Sequence, residues 1–186
     1  MGRVRYGLKN MHYAMATEGT GGALTYGTPK GVPGAREISL APTGESMDEH
    51  ADDVLWFHSD ANGGYSGNLI MEDTPECDEF LEDTLGMTKD ADGVTWEKAT
   101  DAPKEFALLG QFTLGGGTET GKRFCMHRVI AGRPEITGQT KENGITVQYV
   151  NVPITAMPRI NDDLVKGSCV STSAKYANWF NEVPEE

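Results

Sequence analysis

Residues 143–159, NGITVQYVNVPITAMPR, constrain this chain more than any other stretch. Asn143-Gly144 is a strong signal for a two-residue hairpin turn, because both residues tolerate the positive φ that such a turn needs. Ile145, Val147 and Tyr149 then alternate with Thr146 and Gln148, the period of a half-buried strand. The phase changes after Tyr149, and Val150, Val152, Ile154 and Ala156 carry the apolar face onward. A shift of one residue turns side chains to the opposite face, so one straight strand cannot hold both sets against one core. Either a bulge sits near Tyr149-Val150, or the strand bends from one sheet to another. Pro153 agrees, since a strand proline belongs at an edge or a bulge. A β-sandwich or barrel is the expected fold.

The rest of the chain fits a mainly β domain. Residues 3–17 read as a strand with its own change of phase near Asn10, from Val4, Tyr6 and Leu8 to Met11, Tyr13 and Met15. Residues 35–41 read as a strand with Ile38 and Leu40 inward, and residues 42–49 as a turn. Residues 54–59 and 65–71 flank Asp60-Ala61-Asn62-Gly63-Gly64 and read as a hairpin. Residues 104–114 and 122–130 pair as strands, residues 135–141 pair through the Asn143-Gly144 turn, and residues 164–170 form a last strand. Residues 94–97 form a short strand after the Asp92-Gly93 turn. One flanking helix is expected over residues 75–86. Thr74 is a good N-cap, Pro75 suits the first helical position, and Gly86 stops the helix. Cys77, Phe80, Leu81 and Leu85 form its apolar stripe, and Glu76, Asp78, Glu79, Glu82 and Asp83 its acidic back. Residues 173–180 read as a short amphipathic helix burying Tyr176, Trp179 and Phe180. Residues 181–186 read as a flexible tail.

Residues 19–34, GTGGALTYGTPKGVPG, are a long Gly/Pro-rich loop by composition. Loops of that length inside a domain are usually functional or disordered, and Leu24, Tyr26 and Val32 argue against disorder. An arm that orders against another surface is the expectation. The residues that would make such a contact are Gly19, Gly21, Gly22, Leu24, Tyr26, Pro29, Lys30, Val32 and Pro33. The dinucleotide and P-loop glycine patterns fail, because Leu24 stands where a glycine is needed and no GK[ST] occurs.

Charge excludes several functions. The 186 residues carry a net −12, with 7 Lys and Arg against 18 Asp and Glu in residues 1–100 and 9 against 10 in the remainder. Such a surface does not grip phosphates or anionic membranes. No apolar run approaches the ~20 residues of a membrane span. Cys77, Cys125 and Cys169 are widely spaced and suggest reduced thiols. His50, His58, Asp48, Asp52, Asp53 and Asp60 form the densest His/acid cluster, without metal-ligand spacing. Asp90-Ala91-Asp92-Gly93 resembles part of a calcium loop but lacks both end ligands. Cys125 and His127 share one strand face and read as packing. No catalytic residues, metal site or cofactor are expected, and the whole chain is read as a single domain.

Four stretches together resemble the phi13-type major tail proteins of long-tailed bacteriophages. They are YGLKNMHYA, NGGYSGNLIMEDTPECDEFLEDTLG, EFALLGQF with GKRFCMHRV, and RPEITGQTKEN leading to Ala156-Met157-Pro158-Arg159. The resemblance implies a tail-tube fold: a β-sandwich with one flanking helix. It implies homo-oligomers, six copies to a ring, with rings stacked into a virion tail tube. Such tubes assemble in the bacterial host cytoplasm and join other phage tail proteins. DNA would pass through an acidic lumen without specific binding. By strand alternation the lumen candidates are Glu37, Ser39, Ser66, Asn68 and Glu72. The rival expectations are a monomeric sandwich binding a glycan or protein through Trp56, Tyr65 and loop aromatics, and a small β-barrel enzyme with an unrecognised acid pair.

Overall fold

Alternating apolar residues build most of this molecule, and its computed structural model describes residues 2–140 and 147–186. The strands in chain order are β1 (Val4–Glu18), β2 (Leu24–Tyr26), β3 (Lys30–Gly31), β4 (Ala35–Thr43), β5 (Ser46–Ala51), β6 (Val54–Asp60) and β7 (Gly64–Met71). Helix α1 (Pro75–Leu85) follows. Then come β8 (Thr88–Lys89), β9 (Thr95–Trp96), β10 (Phe106–Gly115), β11 (Gly121–Ala131), β12 (Val150–Met157) and β13 (Lys166–Val170). The main sheet is antiparallel and runs β2-β1-β10-β11-β12-β7-β4, with β3 on β1 and β13 on β11. The fold is therefore mainly β with one helix, as expected.

The sheet must curl. Met11, Tyr13, Phe106 and Leu108 near one end share a core with Leu69, Met71, Val152 and Ile154 near the other. β1 comes close to β4 without sharing a ladder with it. Helix α1 closes this core with Cys77, Phe80, Leu81 and Leu85. Its ends form as the sequence dictates. Thr74 Oγ1 accepts from the Cys77 N–H at 3.2 Å, and Gly86 ends the helix at φ 76°. A second apolar layer lies on the other side of β10 and β11, where Trp179 and Val183 cover Ala107, Leu109 and Cys125.

The change of phase in β1 is real. Register shifts fall between Tyr6 and Leu8 and between Lys9 and His12, with Gly7 at φ 67° and Asn10 at φ 53°. Each bulge re-aims the strand, so Met11 and Tyr13 reach the core.

The stretch 143–159 is built differently from the expectation. The Asn143-Gly144 turn, Ile145 and Thr146 lie outside the described residues. Val147, Gln148 and Tyr149 belong to no strand, and β12 begins at Val150, so one long bent strand is not what forms. Residues 135–140 carry no strand either. In β12, Val152, Ile154 and Ala156 are buried while Asn151, Pro153 and Thr155 are exposed. Pro153 has a clear place. β12 pairs with β7 over its length but with β11 only from Ile154 onward. The Pro153 carbonyl accepts from Gly132 at 2.7 Å, so its missing N–H falls where the β11 ladder ends.

The hairpin expected around residues 60–64 has a different partner. β6 pairs with β5 across Asp52-Asp53, both at positive φ (51° and 61°). Residues 42–49 are thus mostly strand rather than turn. Beyond Thr43 and Gly64 the β4/β7 ladder continues into β5/β6, with Gly63 N–H on Thr43 O and Ala61 N–H on Glu45 O. The result is one long ribbon, kinked at its glycines. Gly64 sits at φ 100°, and a Cβ there would lie 2.0 Å from the Ala156 carbonyl oxygen. That contact is backbone, so it does not relax cheaply. Gly64→Ala is expected to cost about 2–3 kcal/mol in urea unfolding, from strain plus overpacking. A loss below ~0.5 kcal/mol contradicts this account.

At the C-terminus two further expectations change. Residues 173–181 form successive turns, with Tyr176 N–H on Ser173 O and Trp179 N–H on Tyr176 O, and no helix. Trp179 is nonetheless buried, its Nε1 donating to Phe124 O at 3.2 Å. The tail 181–186 is held, with Val183 buried and Glu185 bonded to Arg159 at 2.8 Å.

Candidate functional site

The outer face of β4, β7 and β12 is the first candidate surface. Register places Glu37, Ile70 and Asn151 in one row across the three strands, Ser39, Asn68 and Pro153 in the next, and Ala41, Ser66 and Thr155 in the third. Their neighbours Ile38, Leu69 and Val152 turn to the core side. So Glu37, Ser39, Ser66 and Asn68 are brought together on one exposed face. Glu72 lies just beyond the end of β7, half-buried, with Arg36 at 3.3 Å. Alternation in β12 would also have found Asn151, Pro153 and Thr155. The face is polar but nearly neutral, and Glu37 is its one carboxylate in the three rows. β4 is hydrogen-bonded on one side alone among the described residues.

The β5/β6 ribbon is the second surface. Every residue of both strands is exposed. Residues 45–60 hold six carboxylates, Glu45, Asp48, Glu49, Asp52, Asp53 and Asp60, and no Lys or Arg. They also hold Met47, Val54, Leu55, Trp56 and Phe57, all more than half exposed, with Trp56 at 74%. The His/acid cluster seen in the sequence collapses to His58, which bonds Asp48 through Nδ1 and lies 3.1 Å from Asp60 through Nε2. Those carboxylates hold the imidazole above its ordinary pKa. No group of three or more His, Cys, Asp or Glu is placed to hold a metal ion among the described residues. Asp90 organises the β8/β9 hairpin as a plain turn, accepting from Asp92 N–H, Val94 N–H and Trp96 Nε1.

The segment 19–34 is not an open loop. Leu24–Tyr26 pairs with Ala16, Thr17 and Glu18, and Lys30–Gly31 with His12 and Tyr13. Tyr26 Oη donates to His127 O at 2.8 Å. Lys30 Nζ reaches Glu79 and Asp83, each at 2.7 Å. Burial pushes the Asp83 carboxyl up, but Lys30 and the Tyr13 hydroxyl outweigh it and hold it below the usual range. Val32 is in the core at 3% exposure. Gly21 takes φ 75° in a short 3-10 turn, and Gly22 packs against Ile160. Gly19 N–H bonds Ala23 O at 2.7 Å, while Pro29 is half-buried and Pro33 exposed. The surface this arm orders against is its own chain. Apolar side chains and a lysine facing acidic α1 explain why glycine and proline content misled.

His127 is deeply buried on the far side of β11, at 1% exposure, beside the fully buried Cys125. Cys125 Sγ lies 4.0 Å from its Nδ1. Burial pushes the Cys125 thiol up and the His127 imidazole down, so this pair is not poised to ionise as a nucleophile. The charges facing His127 are Arg159, Glu185 and Asp162, and Lys166 and Lys175 line the cavity beside it. The folded pKa is depressed below an unfolded value near 6.5. Stability from the neutral imidazole is complete above that pH and is lost as pH falls toward the folded value, by at most about 1.4 kcal/mol per pH unit. His127→Asn should remove that part of the slope between pH 6.5 and 5.5 in urea titrations. An unchanged slope refutes the assignment.

The third feature is a cleft between β4/β7 and β10/β11/β13, about 410 Å³ in volume. Arg5, Lys122 and Lys166 line it with Tyr65, Phe112 and Phe124, and among the described residues no carboxylate does. The Arg5 guanidinium lies 4.5 Å from the Phe112 ring centre, and Lys166 Nζ lies 4.4 Å from that of Tyr65. Trp56 is not among the lining residues.

No family model matches this chain, and no curated protein matches it.

Proposed function

We propose that this protein is a structural subunit of a phage tail tube, assembling as rings that stack around a DNA conduit. The observation that carries the reading is the two-faced sheet of β4, β7 and β12. One face is core, and the other is polar, nearly neutral and bounded by the open edge of β4. A lone domain has to protect such an edge, whereas joining sheets between copies removes it. The number six comes from the resemblance in sequence. In a ring of this kind the polar face lines the lumen and contributes one ring of Glu37 carboxylates. DNA meets hydroxyls and amides there, not lysines, and is not held through counterion release.

The acidity of the chain supports the conduit less directly than its total suggests. Eleven of the 28 carboxylates lie on residues 45–60 and on α1, against one, Glu37, in the three rows of the polar face. The projecting ribbon, more than the 19–34 arm, is the element free to reach another subunit. The rival is a monomeric sandwich binding a glycan or protein through Trp56, Tyr65 and loop aromatics, and the basic cleft that Tyr65 lines does not include Trp56. Negative-stain microscopy of the concentrated protein tests the proposal. Rings or tubes with a central hole are expected, and a persistent monomer would count against it.

A further inference from the structure

We infer that the β5/β6 ribbon of one copy docks in the basic cleft of another, an inference that rests on the tube reading. Charge complementarity carries it. In a chain of net −12, Arg5, Lys122 and Lys166 gather in one cleft, and none has a carboxylate within 4 Å among the described residues. Aromatic rings hold two of these cations in place. The ribbon is the opposite in kind, with six carboxylates, no cation and a run of exposed apolar side chains. Its Glu45, Glu49, Asp52 and Asp53 form no ion pair among the described residues.

Apolar side chains beside carboxylates match aromatic walls beside cations. A cleft of about 410 Å³ lies in the range of sites that take inserted groups. The ribbon does not fill its own cleft, because its residues are exposed throughout. A ribbon on one copy and a cleft on the next make a heterologous contact, which repeats as a ring or a filament. The inward curl of the sheet makes the cleft, and the glycine kink throws the ribbon clear of it. One fold thus presents both halves of the joint.

Charge exchange tests this. The ribbon variant is Glu49→Lys with Asp53→Lys, and the cleft variant is Lys122→Glu with Lys166→Glu. Each should raise the concentration needed for assembly at least ~tenfold, and the four-fold combination should return it to within about threefold. Raising salt should weaken wild-type assembly in the same direction. Circular dichroism should be unchanged. If wild type forms tubes and both variants form them at the same concentration, the joint is elsewhere and the tube reading stands. If wild type forms no assembly, both fall. Carbodiimide coupling of mixed ¹⁴N- and ¹⁵N-labelled wild-type protein gives a readout independent of variant folding. It should link Lys122 or Lys166 of one copy to a carboxylate within residues 45–60 of another. Intermolecular links that avoid these lysines overturn the inference, as does loss of DNA binding by the cleft variant with assembly intact.

Discussion

Phe80→Ala should cost about 3–5 kcal/mol of stability, the range for a buried phenylalanine that leaves a cavity. Phe80 is fully buried at the point where α1 meets the curled sheet. Its ring stands edge-on to Tyr13 at 5.0 Å and to Phe106 at 5.5 Å. These three rings join the helix to β1 and β10 within the main core. Domains of this kind have only about 5–15 kcal/mol in total, so the change removes a large fraction. The melting temperature should drop by about 6–20 °C. A measured loss under ~1.5 kcal/mol would mean that α1 is not an integral part of the core.

The second large effect concerns the outer face of β4 and β7. Replacing Glu37, Ser39, Ser66 and Asn68 together by lysine should leave the fold intact, since all four are exposed. Each copy gains four cations and loses one carboxylate, a net change of five charges, and a ring multiplies this around one channel. Tubes of the variant should retain duplex DNA at low salt and release it as salt rises, because bound lysines displace counterions. Wild-type tubes should not retain it. In an infectious particle the variant should eject DNA slowly. Ejection at the normal rate from tubes built of this variant would remove the electrostatic argument.

Much of the fold was legible from local chemistry. Thr74, Pro75 and Gly86 bound α1 because caps and prolines act within a turn of where they sit. The phase change in β1 was visible because a bulge leaves its mark on alternation at the same place. Pairing was harder to read. Asp60-Ala61-Asn62-Gly63-Gly64 has the stronger turn composition, yet the chain turns at Asp52-Asp53 and uses those glycines for close approach. Glycine marks tight geometry without saying whether it serves a turn or a kink.

The candidate surfaces divide in the same way. The lumen candidates on β4 and β7 followed from alternation alone, and register shows that they share one exposed face. The arm at 19–34 did not follow, because its glycines and prolines hide two short strands pairing with β1. The Lys30 link to α1 joins residues about 50 positions apart, which no local pattern reveals. The basic cleft takes Arg5, Lys122 and Lys166 from β1, β11 and β13, which are far apart in sequence, and the curl sets β4 and β7 opposite them.

The central claim is that the polar face of β4, β7 and β12 lines a channel between copies. A cryo-electron microscopy reconstruction of assemblies formed by the concentrated protein tests it most directly. The account predicts closed rings in which β4 joins a neighbour's sheet and Glu37, Ser39, Ser66 and Asn68 face the central hole. Rings that place α1 on the channel and this face on the outside, or a protein that stays monomeric at every concentration, would contradict it.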